Sequence, residues 1–221
     1  DNYFPDDLYQ EILDNESLLD TLSDSYFEKD EQKRFYLMSD DEKRRFKPLL
    51  TDPKATALLS TRLTYKAVCD ENINNISALS KKIVAYQKSI KKEISDMYFT
   101  FKGDKLDYFD INEKMAFQIQ DPKFEYKIHD EDPSKLISVV VFLAPDINNG
   151  TFLYESDKQD YDKPTKTIEW KPNRAFIFSG INNKTWHAFS AAKDQPRRKT
   201  LTFFVTDPKK RTSLIDGLYM F

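Results

Sequence analysis

The sequence predicts an α+β, mainly β fold in which N-terminal helices support a β-sandwich or barrel. Apolar residues in the first ~100 positions recur at threes and fours, which is typical of amphipathic helices. After Phe99 the pattern changes to short β-rich runs separated by Pro, Asn, Asp and Gly. No insertion between these runs is long enough for a helix, which argues against parallel βαβ units. We therefore expect a helical support region over residues 1–98 and a β-rich core over residues 99–221, packed as one structural unit.

Three stretches of the first region favour helices. Apolar residues from Leu8 to Leu22 fall on one face after Pro5. Residues 39–42, Ser-Asp-Asp-Glu, have the capping-box pattern that begins a helix. The clearest helix is predicted from about Ile73 to Met97, because its apolar residues repeat at helical spacing and its lysine pairs lie on the opposite, solvated side.

Eight short strands are predicted in the second region. Their number within about ninety residues is typical of a sandwich or barrel. Their predicted bounds are Met115–Gln120, Phe124–His129, Leu136–Leu143, Thr151–Glu155, Thr167–Trp170, Ala175–Ser179, Trp186–Ala191 and Lys199–Thr206.

Composition excludes several classes of protein. The 34 basic and 37 acidic residues are mixed along the chain without a basic stripe, which argues against a nucleic-acid partner. No apolar run approaches the ~20 residues that span a bilayer, so we expect no membrane partner. The 4 glycines are scattered, whereas phosphate-binding and dinucleotide-binding loops need clustered ones. A single cysteine, Cys69, allows no internal disulfide and favours the reducing cytoplasm. Because the chain begins with Asp1 and not Met, we expect it to be trimmed from a longer protein.

The chain contains only 2 histidines, and both lie where metal ligands would be expected. His129 begins the segment His129-Asp130-Glu131 at the end of a predicted strand, and His187 lies in a later strand. Residues two apart point to the same side of an extended chain, so the His129 imidazole and the Glu131 carboxylate share a side. Two imidazoles and one carboxylate with open positions suit non-heme Fe(II) better than a closed structural zinc site.

Five segments occur in order between Tyr126 and Val205. They are the His-x-Glu segment at 129–131, a hydrophobic strand at 139–143 with an Asn-Gly-Thr turn at 149–151, a Phe-ended strand at 172–178, His187, and Arg-x-Thr at 198–200. In this order they resemble the Fe(II)/2-oxoglutarate-dependent oxygenase superfamily, in particular its prolyl-4-hydroxylase-like branch. The resemblance implies a double-stranded β-helix (jelly roll) as the catalytic core of residues 99–221.

The resemblance also implies a function and its residues. His129, Glu131 and His187 would bind iron, and Arg198 and Thr200 would bind the distal carboxylate of the cosubstrate 2-oxoglutarate. The chain would then be a dioxygenase that uses O₂ to hydroxylate a peptidyl (prolyl-like) or small-molecule C–H bond, with release of succinate and CO₂. The metal and the cosubstrate supply the redox chemistry of such a reaction.

Two departures from the family pattern leave alternatives open. The family usually has Asp where Glu131 stands, and Asp132 would be the ligand only if the strand bulged. The tyrosine that often hydrogen-bonds the cosubstrate is Phe142 here, and Tyr126 could take its place.

Other readings of the same residues also stay open. Arg197 is the rival of Arg198 for the cosubstrate, although only Arg198 gives Arg-x-Thr. The alternative functions are a non-catalytic jelly-roll binding module and a cupin-type oxygenase that does not use 2-oxoglutarate, and the second would leave Arg198 without a role.

Overall fold

Two antiparallel β-sheets with helices on one side form the part of the protein that the structure describes. The computed structural model describes residues 1–15, 62–64, 74–102, 112–120, 122–131, 134–180 and 184–207. The predicted capping-box helix and the second half of the predicted Leu8–Leu22 helix lie outside these ranges. In chain order the described elements are α1 (Asp6–Asp14), β1 (Arg62–Thr64), α2 (Asn74–Ser89), α3 (Lys91–Lys102), β2 (Asn112–Gln120), β3 (Glu125–His129), β4 (Lys135–Ala144), β5 (Thr151–Leu153), β6 (Lys166–Ile168), β7 (Ala175–Phe178), β8 (His187–Ser190) and β9 (Arg198–Thr206).

The eight strands predicted after Phe99 are confirmed as β2 to β9, with bounds that shift by a few residues at most. They form a five-stranded sheet of order β1-β2-β9-β4-β7 and a four-stranded sheet of order β3-β8-β5-β6. Every pairing is antiparallel, as expected for a mainly β fold without βαβ units. Strand β1 was not predicted: it comes from the N-terminal region and extends the five-stranded sheet beside β2.

The predicted helix from Ile73 to Met97 is two consecutive helices, α2 and α3, which meet at Ile90. The hydroxyl of Ser89 donates to the carbonyl oxygen of Tyr86 at 2.7 Å. A serine hydroxyl that bonds a carbonyl of its own turn competes with the backbone and favours a bend or an end at that place. The spacing of the apolar residues does not reveal this break, because apolar side chains of α2 and of α3 face the same core.

The hydrophobic core lies between the helices and the outer face of the five-stranded sheet. Alternate residues of β4 and β9 point to this side, as the two-residue period of a strand requires. Core members from the helices and from these two strands include Leu8, Ile12, Leu79, Ile83, Ile94, Tyr98, Val139, Val141, Leu143, Leu201, Phe203 and Val205. Burial of these side chains holds the helices on the sheet, since each contributes roughly 1.5–3 kcal/mol relative to exposure.

The intervening residues of the same sheet face the four-stranded sheet, and many of them are polar although buried. They are Gln118, Gln120, Ser138, Arg198, Thr200 and Thr202. A dry core between two sheets is normally apolar, and buried polar groups are retained where they bind each other or a ligand. The space between the sheets is therefore where a functional site is to be sought.

Among the described residues, no helix has both the length and the apolar character needed to cross a bilayer. The division of the chain at residues 98 and 99 stays a prediction.

Candidate metal centre and anion pocket

Strands β3 and β8 bring the two histidines side by side. The strands pair antiparallel with Tyr126 opposite Phe189 and His129 opposite His187. The register shifts between these two pairs, which marks a β-bulge or a similar irregularity, a feature common next to functional sites. The imidazole centroids of His129 and His187 lie 4.2 Å apart. Two residues far apart in sequence thus become direct neighbours through strand pairing.

Each imidazole is oriented by a backbone carbonyl two residues before it. Nδ1 of His129 lies 3.0 Å from the carbonyl oxygen of Lys127, and Nδ1 of His187 lies 2.8 Å from that of Thr185. A carbonyl oxygen only accepts hydrogen bonds, so both Nδ1 atoms carry a proton, and Nε2 is the nitrogen of each imidazole that is left to bind a metal. This is the arrangement in which metal-binding histidines are usually held.

Glu131 completes a cluster that could hold a metal ion. One ligand atom from each of His129, Glu131 and His187 lies within 4.8 Å of the others. Oε1 of Glu131 lies 4.0 Å from Nε2 of His187 and 3.4 Å from the hydroxyl of Ser138. Its other oxygen, Oε2, accepts a hydrogen bond from Nζ of Lys135 at 2.6 Å. One carboxylate oxygen therefore faces the imidazoles while the other is held by an ammonium group.

The electrostatics of the cluster suit a cation. Burial and, to a lesser degree, the adjacent His187 imidazole lower the pKa of His129 to about 3, so His129 is neutral at pH 7. Burial would raise the pKa of Glu131, but the Lys135 ammonium and the two imidazoles outweigh it and hold that pKa at about 2. The site thus presents a neutral imidazole and an ionised carboxylate, which are the protonation states that metal binding needs.

The buried cation Arg198 lies on β9, on the face of the five-stranded sheet that is directed towards the four-stranded sheet. Arg198 is 1% exposed, and its Nη1 donates to Oε1 of Gln120 at 3.1 Å while Nε lies 3.5 Å from the carbonyl oxygen of Asn149. Both acceptors are neutral, and no carboxylate of the described residues pairs with the guanidinium. Burial lowers the pKa of Arg198 to about 9, which the nearby Tyr161 hydroxyl partly offsets, and the group stays charged at pH 7. A buried charge is costly unless it is paired, so this pocket fits an anionic ligand.

Aromatic rings enclose the guanidinium. Its Cζ lies 4.7 Å from the ring centroid of Phe189, 5.0 Å from that of Trp170 and 5.6 Å from that of Phe142. Cation–π contacts of this kind stabilise a buried guanidinium without neutralising it. The rings therefore hold Arg198 in place and leave its charge available to a ligand.

Thr200 lies two positions beyond Arg198 on the same face of β9. It is fully buried, and its hydroxyl has no hydrogen-bond partner among the described residues. An unsatisfied buried hydroxyl costs about 1–3 kcal/mol and is rare in native proteins. We refer to these two groups, the Arg198 guanidinium and the Thr200 hydroxyl, as the anion pocket, because both are buried donors without a charged acceptor among the described residues.

Two rings connect the metal-binding cluster with the anion pocket. Phe189 contacts the Arg198 guanidinium on one side and stacks on Tyr126 at 5.3 Å on the other. Tyr126 in turn packs edge-on against His129 at 4.4 Å. The rings of Phe189 and Tyr126 thus form a continuous series of contacts from Arg198 to His129.

The remaining predicted residues are placed as follows. Asp130 points away from the cluster, where its Oδ1 accepts hydrogen bonds from the Thr185 hydroxyl at 2.5 Å and from the Glu131 amide at 2.9 Å. Arg197 is half-buried and precedes β9, whereas Arg198 begins it. Asp132 lies outside the described residues. Phe142 stacks on Trp170 behind Arg198.

Sequence reasoning missed Lys135 and Gln120. Lys135 follows Glu131 by four residues, a spacing that predicts contact on a helix but not across the end of a strand. Gln120 lies opposite Arg198 only because β2 pairs with β9 in one particular register. Only the pairing of β2 with β9 would have identified Gln120, and local periodicity does not predict which strands pair.

The turn before β5 needs its glycine. A Cβ at Gly150 would lie 1.8 Å from the carbonyl oxygen of Ile168, so no other residue fits without moving that backbone. The close approach holds the preceding carbonyl of Asn149 beside Arg198. The predicted Asn-Gly-Thr turn thus shapes one wall of the anion pocket.

No protein-family model matches the chain, and no curated protein matches it by sequence. Solved structures that resemble it include a 2OG-Fe(II) oxygenase family oxidoreductase from Burkholderia pseudomallei, at 11% identity and a TM-score of 0.43, with 60% of each chain covered. A prolyl hydroxylase from Trichoplax adhaerens, in complex with a hypoxia inducible factor peptide, has 16% identity and a TM-score of 0.41 over 65% of this chain and 62% of that one. An RmlC-like cupin from Desulfovibrio desulfuricans has 15% identity and a TM-score of 0.31 over 46% of this chain and 77% of that one. Likenesses this distant establish no family, so function has to be inferred from the side chains of the site.

Proposed function

We propose that the protein is an Fe(II)- and 2-oxoglutarate-dependent dioxygenase built on a double-stranded β-helix. In this proposal His129, Glu131 and His187 bind the iron, and Arg198 and Thr200 bind the distal carboxylate of 2-oxoglutarate. The hydroxylated group is a peptidyl (prolyl-like) or small-molecule C–H bond. Iron with 2-oxoglutarate supplies the oxidising chemistry: one O₂ gives one oxygen atom to the substrate and one to succinate, and CO₂ is released.

The observation that carries the proposal is the buried Arg198 guanidinium next to an unsatisfied Thr200 hydroxyl. A planar guanidinium can bind a carboxylate through two parallel hydrogen bonds, and a nearby hydroxyl can donate a further one. A metal site alone would be compatible with many functions, including a cupin-type oxygenase. Such an oxygenase gives no reason for a buried cation with neutral partners in the same inter-sheet space.

Different residues of the chain would then have different roles in the reaction. The two imidazoles and Oε1 of Glu131 would provide three protein ligands to the ion, and further positions would remain for the cosubstrate and O₂. The rings of Tyr126 and Phe189 line the path between the ion and Arg198 and keep water from it. The Tyr126 hydroxyl would provide a further cosubstrate contact in place of the family's usual tyrosine.

Succinate formation tests the proposal against its alternatives. The full chain is incubated with Fe(II), 2-oxoglutarate, ascorbate and O₂, and succinate is measured by mass spectrometry; slow turnover is expected even without the substrate. A binding module would consume neither O₂ nor 2-oxoglutarate. A cupin-type oxygenase could consume O₂ with its own substrate but would form no succinate.

Two matched variants assign the metal ligands. His187→Ala should lower Mn(II) affinity by roughly a hundredfold or more, because it removes one of three protein ligands. Asp130→Asn lies next to Glu131 but points towards Thr185, and should leave Mn(II) affinity within about twofold of the wild-type value. Equal Mn(II) affinity in His187→Ala and in wild type, by isothermal titration calorimetry, would contradict the assignment.

A further inference from the structure

Lys135 is in direct contact with the carboxylate of the candidate metal centre. Its Nζ lies 2.6 Å from Oε2 of Glu131, and the two side chains are only 12% and 9% exposed. The same Nζ lies 4.8 Å from the centroid of the Phe204 ring, a position that favours the charged ammonium form. A hydrogen bond between ionised groups this short and this well shielded from water is strong.

Lys135 also determines which oxygen of Glu131 is available. Oε2 is occupied by the ammonium, whereas Oε1 faces Nε2 of His187 at 4.0 Å and the Ser138 hydroxyl at 3.4 Å. An ion held by the imidazoles would therefore meet one carboxylate oxygen and not both. With the two imidazoles this makes three protein ligands, so further positions around the ion would stay available to another ligand.

We propose that Lys135 is a positioning residue that sets the charge of the metal centre, so that a bare divalent cation binds weakly and an anion binding beside the cation binds tightly. This inference rests on the proposed function, because it assigns Glu131 to the metal. It adds a residue that the ligand pattern does not contain and a coupling between the two ligands that the pattern does not imply.

The charges of the site give the reason. Imidazoles bind a metal ion in their neutral form, so the ligands and the ammonium together contribute no net charge, and a bound divalent ion gives the centre a net charge of +2. Without the ammonium the same centre would carry +1. The ammonium repels the cation, and the more positive centre attracts a doubly charged anion such as 2-oxoglutarate more strongly. Removing the ammonium should therefore move the two affinities in opposite directions.

Coupling between the two ligands follows from this charge. The anion neutralises the repulsion between the ion and Lys135, so each ligand should bind more tightly in the presence of the other. Binding linkage is reciprocal, so the same factor applies to both ligands. Replacement of Lys135 by an uncharged residue should therefore remove part of this coupling.

The test compares Lys135→Met with Lys135→Arg in the full chain, without O₂. Mn(II) is titrated alone by calorimetry, and 2-oxoglutarate is then titrated at saturating Mn(II). We expect Lys135→Met to bind Mn(II) roughly tenfold more tightly and 2-oxoglutarate roughly tenfold more weakly than wild type, as removal of one nearby charge implies. Lys135→Arg keeps the charge and should stay within about threefold of wild type for both ligands.

The possible outcomes are distinct. A residue that only supports the structure would weaken both ligands when replaced, and that result, or no change in either affinity, overturns the inference. If Lys135→Met does not fold, Lys135→Gln keeps a hydrogen-bond donor without the charge and should show the same opposite shifts. Absence of Mn(II) binding in wild type, or unchanged binding in His187→Ala, would instead overturn the proposed function and this inference with it.

Discussion

The Arg198 guanidinium lies 3.1 Å from the side-chain oxygen of Gln120, so a neutral amide orients this buried cation. Both side chains are 1% exposed, and they lie opposite each other in the pairing of β2 with β9. An amide fixes the direction of the guanidinium without cancelling its charge. A carboxylate at the same place would cancel it, and the difference can be tested directly.

Gln120→Glu should convert the anion pocket into an internal ion pair. Because the new carboxylate would occupy the guanidinium, affinity for 2-oxoglutarate should fall by roughly tenfold or more. Mn(II) affinity should change by less than about twofold, since the metal-binding cluster is separated from Arg198 by the rings of Tyr126 and Phe189. Gln10→Glu, at an exposed position of α1, makes the same change in net charge and serves as the control; an equal loss of 2-oxoglutarate binding in both variants would mean that the pocket is elsewhere.

Thr200→Val removes an unsatisfied hydroxyl at nearly constant shape. The free energy of unfolding of the ligand-free protein should stay equal or rise by up to about 1 kcal/mol, because no hydrogen bond with the described residues is lost. Affinity for 2-oxoglutarate should nevertheless fall by roughly fivefold or more, because a donor to its carboxylate is gone. Urea denaturation and calorimetry measure the two quantities.

Thr202→Val is the matched comparison, since the Thr202 hydroxyl is also buried without a partner among the described residues. It should stabilise the ligand-free protein to a similar degree and leave 2-oxoglutarate affinity within about twofold of wild type. A larger loss of affinity in Thr202→Val than in Thr200→Val would move the carboxylate site along β9.

The stability of the metal-free protein should fall as the pH is lowered from about 6.5. The pKa of His129 is about 3 in the folded chain against an ordinary 6.5, so between these values the unfolded chain binds a proton that the folded chain excludes. The free energy of unfolding then decreases with falling pH, at a slope that approaches about 1.4 kcal/mol per pH unit. Glu131, with a pKa of about 2 against 4.5, adds a loss of the same sign as the pH falls from about 4.5 towards 2.

His129→Gln isolates the first of these contributions. Urea denaturation of the variant should show a shallower decrease between about pH 6.5 and pH 4.5 than wild type, because glutamine does not titrate. Parallel pH profiles of the two proteins would contradict the low pKa of His129.

Ile83→Ala tests whether the helices and the β-rich core form one unit. Ile83 is fully buried in α2 and belongs to the core between the helices and the five-stranded sheet. Its truncation should lower the free energy of unfolding by roughly 2–5 kcal/mol and shift a single denaturation transition. The exposed Lys81→Ala on the same helix should change it by less than about 0.5 kcal/mol. Two separate transitions, with only one of them moved by Ile83→Ala, would contradict the one-unit prediction.

The sequence by itself determined the strands after Phe99 and which residues of the site lie on the same side of a strand. The β-rich runs and the Pro, Asn, Asp and Gly between them identified all eight strands, because both are properties of each segment alone. The two-residue period of a strand placed Arg198 and Thr200 on one side of β9. It also paired His129 with Glu131, whose ligand atoms share one cluster in the structure.

Tertiary structure alone decided which distant segments meet. The pairing of β3 with β8, including its irregular register, places His187 beside His129, and the register of β2 with β9 puts Gln120 next to Arg198. The contact of Lys135 with Glu131 and the break at Ile90 between α2 and α3 were likewise not encoded in any local pattern. The physical reason is that register and cross-sheet distance come from the packing of whole elements against each other, whereas periodicity records only which side of its own element a residue faces.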